Sequence, residues 1–175
     1  AVACGNIGVP ILDVVRDPAN FEVLVVELSS FQLHYINQIE PIASAVLNLA
    51  EDHLDWHGSM DEYGRTKGKI YNNTQLCCVY NAGDSATSEL LAKSVHTENA
   101  QAVGFTVNTP APNEVGWVED ILVDRAFVDD PSLALELATL KDLNSSLIVS
   151  PHLMSNIAAA ASLVRSVGVQ PEEIA

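Results

Sequence analysis

Basic residues are scarce in this chain: 8 Lys and Arg stand against 23 Asp and Glu, a formal net charge of −15 over 175 residues. Such an excess of acid disfavours nucleic acid and anionic membrane surfaces as partners, because both attract clustered lysine and arginine. A small polyanionic ligand is not excluded, but local devices must hold it: helix N-termini, metal ions, a few placed side chains. Cysteine is scarce too. Cys4, Cys77 and Cys78 make no CxxC pair, and adjacent cysteines rarely bridge each other, so reduced, buried thiols in a cytoplasmic protein are expected. No apolar run approaches the roughly 20 residues a membrane span needs, and no basic-then-apolar leader opens the sequence. Nor is there a Gly-x-x-x-x-Gly-Lys-Ser/Thr phosphate loop, a repeat, or a low-complexity tract.

What is present is a chain of domain size with 48% apolar residues, enough to bury a sizeable core. It is expected to form one domain over 1–175. It opens on Ala1-Val-Ala-Cys-Gly with no initiator Met and stops at Ile174-Ala175 just after a helix start, so a piece of a longer protein is expected.

Strand, turn and helix signals alternate along the chain. Ala1–Gly5 reads as a short strand, Gly5-Asn6-Ile7-Gly8 as a tight turn, and a helix follows from Pro10. Phe21–Leu28 is a continuous apolar, β-prone run, which predicts a strand covered on both faces and hence a parallel sheet. Glu27 at its carboxyl end either reaches solvent or faces a ligand crevice, where a carboxylate binds a cation. Ser29 and Gln32 then cap the next helix or offer polar contacts to a ligand. Leu76–Tyr80 reads as a strand, Asn81–Asp84 as an ordinary turn, and Ser85–Lys93 as a helix.

From about 100 to 150 the pattern changes to short β-prone pieces at 102–107, 116–118, 121–123 and 147–149, a small and partly antiparallel addition to the main sheet. The acidic stretch from Glu119 to Asp130 is most simply a solvated face. Ser150 to Asn156 leads into an alanine-rich helix over 157–167 that Gly168 ends, with Asn156 either a cap or a ligand contact. The fold class expected is α/β: a mostly parallel central sheet flanked by helices, with a small, partly antiparallel sheet around residues 100–150.

Residues 48–67 hold the densest chemistry. A buried strand at 42–47 leads into a loop with Asp52, His53, Asp55 and His57, and a capping box Ser59-Met-Asp-Glu62 opens a helix. In parallel sheets, ligands bind at the carboxyl ends of the strands, and this loop lies there. His53 and His57 stand four apart as in zinc hydrolases, but Leu54 occupies the position where those enzymes require a glutamate base. Lys67, eight residues into the helix, is ordinarily a solvent-facing position.

Taken in order, Gly5-Asn-Ile-Gly8, Glu27-Leu-Ser-Ser-Phe-Gln-Leu33, Asn48-Leu-Ala-Glu-Asp-His-Leu-Asp55, Lys67 before Ile70-Tyr71, and His152–Asn156 before its alanine helix resemble the central domain of the Mur ligases. These are the ATP-dependent amide ligases of bacterial peptidoglycan synthesis, and the Ser-Ser-Phe-Gln-Leu string is similar to their D-glutamate-adding branch. The resemblance implies a nucleotide-binding fold without its phosphate loop, ATP and Mg²⁺ as cofactors, and UDP-N-acetylmuramoyl-L-alanine and D-glutamate as substrates. It also implies roles. Glu27 matches the ligand of a magnesium on the ATP phosphates, His53 the ligand of a second, and Lys67 a lysine carbamylated to bind that metal, with Lys69 as a nearby competitor. Asn6, Ser29 and Gln32 match positions near the UDP-muramoyl substrate, and Asn156 one near adenine. Leu153 departs from the family pattern, which has an asparagine after the histidine. An N-terminal UDP-binding domain, the phosphate loop and a C-terminal amino-acid domain are expected to lie outside these residues, leaving the piece a monomer, inactive alone. A non-catalytic nucleotide-sugar-binding domain and a folylpolyglutamate synthase are the alternatives.

Overall fold

The computed structural model describes residues 1–130, 132–142 and 149–174, so the strand expected at 147–149 lies largely outside the described residues. The chain divides into two compact units, Ala1–Asn37 and Gln38–Ala175.

In the first unit, β1 (Val2–Gly5) and β2 (Leu24–Glu27) pair in parallel, with Gly5 opposite Glu27. Gly5 has φ +127°, and a Cβ there would collide with the Glu27 backbone, so glycine is required for the two strands to close at this end. The tight turn expected here thus begins with Gly5 pressed against the backbone of Glu27. Asn6 continues it by donating its N–H to the Glu27 carbonyl at 2.8 Å. Helix α1 (Ile11–Arg16) starts one residue later than expected, because Pro10, at ψ 142°, is its N-cap. Helix α2 (Ser30–Tyr35) is capped by Ser29. The expectation that residues 21–28 are covered on both faces fails: all four residues of β2 are exposed. One neighbouring strand and two six-residue helices offer too little apolar surface to enclose it, and the buried apolar side chains of this unit are Cys4, Val14 and Leu33.

The second unit is built on a six-stranded sheet in sequence order: β3 (Ala43–Val46), β4 (Cys77–Asn81), β5 (Gln101–Phe105), β6 (Glu114–Val118), β7 (Ile121–Asp124) and β8 (Leu135–Thr139). The first four strands run parallel and the last two antiparallel. The antiparallel addition thus continues the main sheet. Strand β8 escaped the sequence reading, since its two charge-flanked leucines carry a weak signal. Between the strands lie α3 (Leu54–His57), α4 (Met60–Gly68), a 3₁₀ turn (Lys69–Tyr71) and α5 (Ser85–Lys93), and α6 (Pro151–Ser166) follows β8.

Alternate residues of β4 show why its sequence is uniformly apolar. Cys77 and Val79 pack with Val103, Phe105 and Ala158, Ala159 and Ala161 of α6, while Cys78 packs on the opposite side with Tyr71, Leu90 and Leu91. Both faces are covered, as a parallel strand requires. The three cysteines are free and buried. Burial pushes the Cys77 thiol up to about 12, with Cys78 adding to it, and also raises Tyr71, whose hydroxyl donates to the Val79 carbonyl at 2.8 Å.

Two expectations near the chain's end are corrected. Asp124 lies inside the acidic stretch read as solvated, yet it is fully buried. Its Oδ1 accepts the N–H groups of Ala126 and Phe127, and its Oδ2 pairs with Arg165 Nε at 2.9 Å, so every charge has a partner. Helix α6 begins six residues earlier than expected, because Ser150 caps it and Pro151 takes the first-turn position. Asn156 is consequently an exposed residue inside the helix and not its cap. Gly168, at φ +87°, terminates the helix as expected.

Candidate functional site

The loop after β3 leaves the carboxyl edge of the sheet and runs to His53. The short helix α3, absent from the sequence reading, then takes up residues 54–57, so Asp55 and His57 belong to a helical turn rather than a loop. His53 is its N-cap in the left-handed conformation, φ 51° and ψ 31°, and its carbonyl accepts the N–H of His57 at 3.0 Å. A non-glycine residue held there marks a position fixed by its surroundings. The His53 imidazole is half-exposed and its Nε2 lies 3.3 Å from Asp52 Oδ2. His57, four residues on, is buried between rings: Trp56 edge-on at 4.5 Å and Tyr63 tilted at 5.1 Å. The two histidines therefore occupy different environments, and the spacing shared with zinc hydrolases has a packing origin for His57.

Helix α4 follows, capped by Ser59, whose Oγ accepts the Glu62 N–H. The Glu62 carboxylate takes Arg65 at 2.6 Å. Lys67 is half-buried rather than solvent-facing, and its Nζ lies over the Tyr63 ring, 5.5 Å from the centroid. Lys69 caps the same helix, two residues on, as the backbone tightens into a 3₁₀ turn.

The turn Asn81–Asp84 does more than the ordinary turn expected of it. Asn81 Nδ2 donates to the Leu47 carbonyl and Asp84 Oδ2 accepts the Leu49 N–H, both at 2.9 Å. Both bonds tie the carboxyl end of β4 to that of β3. Beside this turn lies a cleft of about 210 Å³, lined by Asn81, Gly83, Thr106, Val107, Asn108, Pro151, His152 and Ser155. Sequence reasoning found the α6 wall but not the wall from β5's loop. That loop is held by Gly116, where a Cβ would meet the Asn108 carbonyl at 2.5 Å, and by Trp117, whose N–H donates to the same oxygen at 3.0 Å. The Trp117 indole donates to the Met154 carbonyl at 3.0 Å and fixes the start of α6. Asn156 is one turn beyond His152 on the exposed side.

In the first unit, Ser29 and Gln32 cap α2 reciprocally. Gln32 N–H donates to Ser29 Oγ at 3.3 Å, and Ser29 N–H donates to Gln32 Oε1 at 2.9 Å. Asn6 and Glu27 are exposed at the closed end of β1 and β2.

Chemically, the His53 imidazole and the Glu27 carboxylate are metal donors, whereas an ammonium at Lys67 has no lone pair to offer. Among the described residues no three His, Cys, Asp or Glu side chains converge on one point. Lys67 could serve as an oxygen donor to a cation only if it were modified, for example to a carbamate. With that modification the donor chemistry fits a hard cation.

A parallel sheet whose strand ends carry polar loops beside a cleft at a helix start defines an α/β ligand-binding domain. The chain belongs to the Mur ligase middle-domain family, whose sequence model matches residues 5–164. It is 49% identical over 174 residues to the UDP-N-acetylmuramoylalanine–D-glutamate ligase of Leifsonia xyli subsp. xyli, covering 96% of this chain and 34% of that protein. The protein of the same name from Thermobifida fusca is 46% identical over 177 residues, covering 99% and 37%. The chain thus spans about a third of the length of these curated relatives. Among solved structures, MurF ligase from Thermotoga maritima in complex with ADP matches with a TM-score of 0.58 at 19% identity, over 91% of this chain and 36% of that one. That likeness is one of fold.

Proposed function

We propose that residues 1–175 form the central domain of an ATP-dependent ligase that joins D-glutamate to UDP-N-acetylmuramoyl-L-alanine in the cytoplasm. The observation that carries this reading is the 40–49% identity to ligases of that name along nearly the whole chain. Both compact units belong to this one domain, in keeping with a family match that runs across their boundary at residue 37. The phosphate loop and the nucleotide-sugar and amino-acid domains come from sequence outside these residues, and the piece alone turns over nothing.

In this reading the free alanyl carboxylate of UDP-N-acetylmuramoyl-L-alanine attacks the γ-phosphorus of ATP, forming an acyl phosphate and releasing ADP. The D-glutamate amine then attacks the acyl carbon, forms the amide and releases phosphate, giving up its proton. Such transfers depend on positioning and on neutralising the charge of the phosphates. Two Mg²⁺ ions would supply that neutralisation, one held by Glu27 and the second by His53 and by Lys67 as its carbamate. His53 is fixed for the task by its left-handed backbone. Asn6 and the Ser29–Gln32 cap meet the nucleotide sugar, Gln32 through its Nε2 because Oε1 serves the cap. The base of ATP lies at the His152 cleft near Asn156, although Leu153 there departs from the family's asparagine.

The test is phosphate release by the full-length protein with ATP and UDP-N-acetylmuramoyl-L-alanine. Release that requires D-glutamate, and not L-glutamate or L-lysine, supports the reading. Tight nucleotide-sugar binding with no phosphate release under any amino acid makes this a binding domain instead.

A further inference from the structure

The loop that presents His53 has no regular structure from Leu47 to His53, and all but one of its residues are exposed. Two side chains on a different loop hold it. Asp84 Oδ2 accepts the Leu49 N–H, and Asn81 Nδ2 donates to the Leu47 carbonyl, across 35 and 34 residues of sequence. Leu49 is also where this loop meets α4: its side chain packs so closely on Gly64 that a Cβ there would come within 3.2 Å of Leu49 Cδ2, and Leu49 would have to give way by a few tenths of an ångström. Gly64 precedes Lys67 by one helical turn. Leu49 therefore takes its backbone position from Asp84 and its side-chain position from the helix that carries Lys67, and His53 follows four residues later. On its other side, the same Asn81–Asp84 turn lines the cleft that contains His152.

We infer that Asn81 and Asp84 are positioning residues that clasp the His53 loop against the Lys67 helix and set the spacing of those two groups beside the cleft. The inference rests on the metal role of His53 and Lys67 given under the proposed function. Partners of this kind, which orient ligands without touching the metal, typically change metal affinity or activity by about 10- to 100-fold when replaced.

Asp84→Asn isolates the clasp. Asp84 uses Oδ1 to accept the Ala86 N–H as the cap of α5 and Oδ2 to accept the Leu49 N–H. Asparagine caps helices as well as aspartate does, so Oδ1 keeps its bond while the amide NH₂ opposes the Leu49 donor. In the full-length enzyme, hydrogen exchange at the Leu49 amide is expected to quicken by about tenfold or more, and the Mg²⁺ concentration for half activation to rise by about tenfold. The ATP KM at saturating Mg²⁺ should stay near that of the wild type. A merely structural role would lower the melting temperature without moving the Mg²⁺ requirement. Should Asp84→Asn misfold, Asn81→Asp removes the donor to Leu47 and keeps the turn's own bond to Gly83. His53→Ala is measured alongside. If it raises the Mg²⁺ requirement while the clasp variants change neither exchange nor Mg²⁺ dependence, the inference is overturned. If His53→Ala leaves Mg²⁺ dependence unchanged, the metal reading itself fails and takes the inference with it.

Discussion

The ammonium of Lys67 lies over the face of Tyr63, 5.5 Å from the ring centroid, and the ring's position is shared with buried His57 at 5.1 Å. A cation over an aromatic face is stabilised by roughly 0.5–1 kcal/mol at exposed sites. A carbamate carries the opposite charge and loses that attraction, so Tyr63 favours the unmodified lysine. If Lys67 is carbamylated as proposed, Tyr63→Leu is therefore expected to raise the carbamylated fraction by a few-fold at fixed bicarbonate, read by the carbon-13 signal of the carbamate. An unchanged fraction would mean the ring does not control the modification.

Arg165 and Asp124 pair at 2.9 Å where Asp124 is fully buried, joining the far end of α6 to β7. Removing one partner leaves an uncompensated buried charge. Asp124→Ala should cost about 3–5 kcal/mol by denaturant unfolding, and adding Arg165→Met should recover much of it. Equal losses in the single and double variants would show that the two charges do not act as a pair.

Burial raises the Cys77 thiol to about 12 and the Tyr71 hydroxyl above its ordinary value. A folded pKa above the unfolded one means the folded state holds its proton longer. Their stability is full below about pH 8.5, the free-thiol value, and declines as pH rises toward 12. The melting temperature should fall between pH 8 and 10.5, and Cys77→Ala, though less stable at pH 8, should show a shallower fall. A slope identical to wild type would exclude Cys77 as a contributor.

Gly5 admits the Glu27 backbone where any Cβ would clash, and its φ of +127° suits glycine alone. Gly5→Ala should displace the end of β2 that carries Glu27, lowering turnover of the full-length enzyme by at least about tenfold while the six-stranded unit melts as before. Turnover near wild type would show that Glu27 tolerates displacement or has no part in the reaction.

These sites differ in how much of them the sequence reveals. Ser29 and Gln32, Ser59, and Ser85–Lys93 could be read directly, because caps and helix periodicity are local signals. The two-sided burial of β4 showed as the uninterrupted run from Leu76 to Tyr80. The exposure of β2 did not show, since Phe21–Leu28 is just as apolar and only the surrounding surface decides its cover. Asp124 looked like one more acid in an acidic stretch until its partner, 41 residues away, came into view. Likewise Asn81 and Asp84 were legible as a turn, but their bonds to Leu47 and Leu49 depend on two parallel strands ending side by side. The helix start at Ser150 was misplaced although Ser-Pro is a local cap signal, because the alanine run further on drew the boundary toward itself.

The most direct measurement is ATP-dependent phosphate release by the full-length protein with UDP-N-acetylmuramoyl-L-alanine and D-glutamate, comparing wild type with Lys67→Ala, with and without a short-chain carboxylic acid. Loss of activity in Lys67→Ala, partly restored by the acid, is the result predicted if Lys67 works as an anionic oxygen donor beside His53. Undiminished activity in Lys67→Ala would contradict it and turn attention to Lys69.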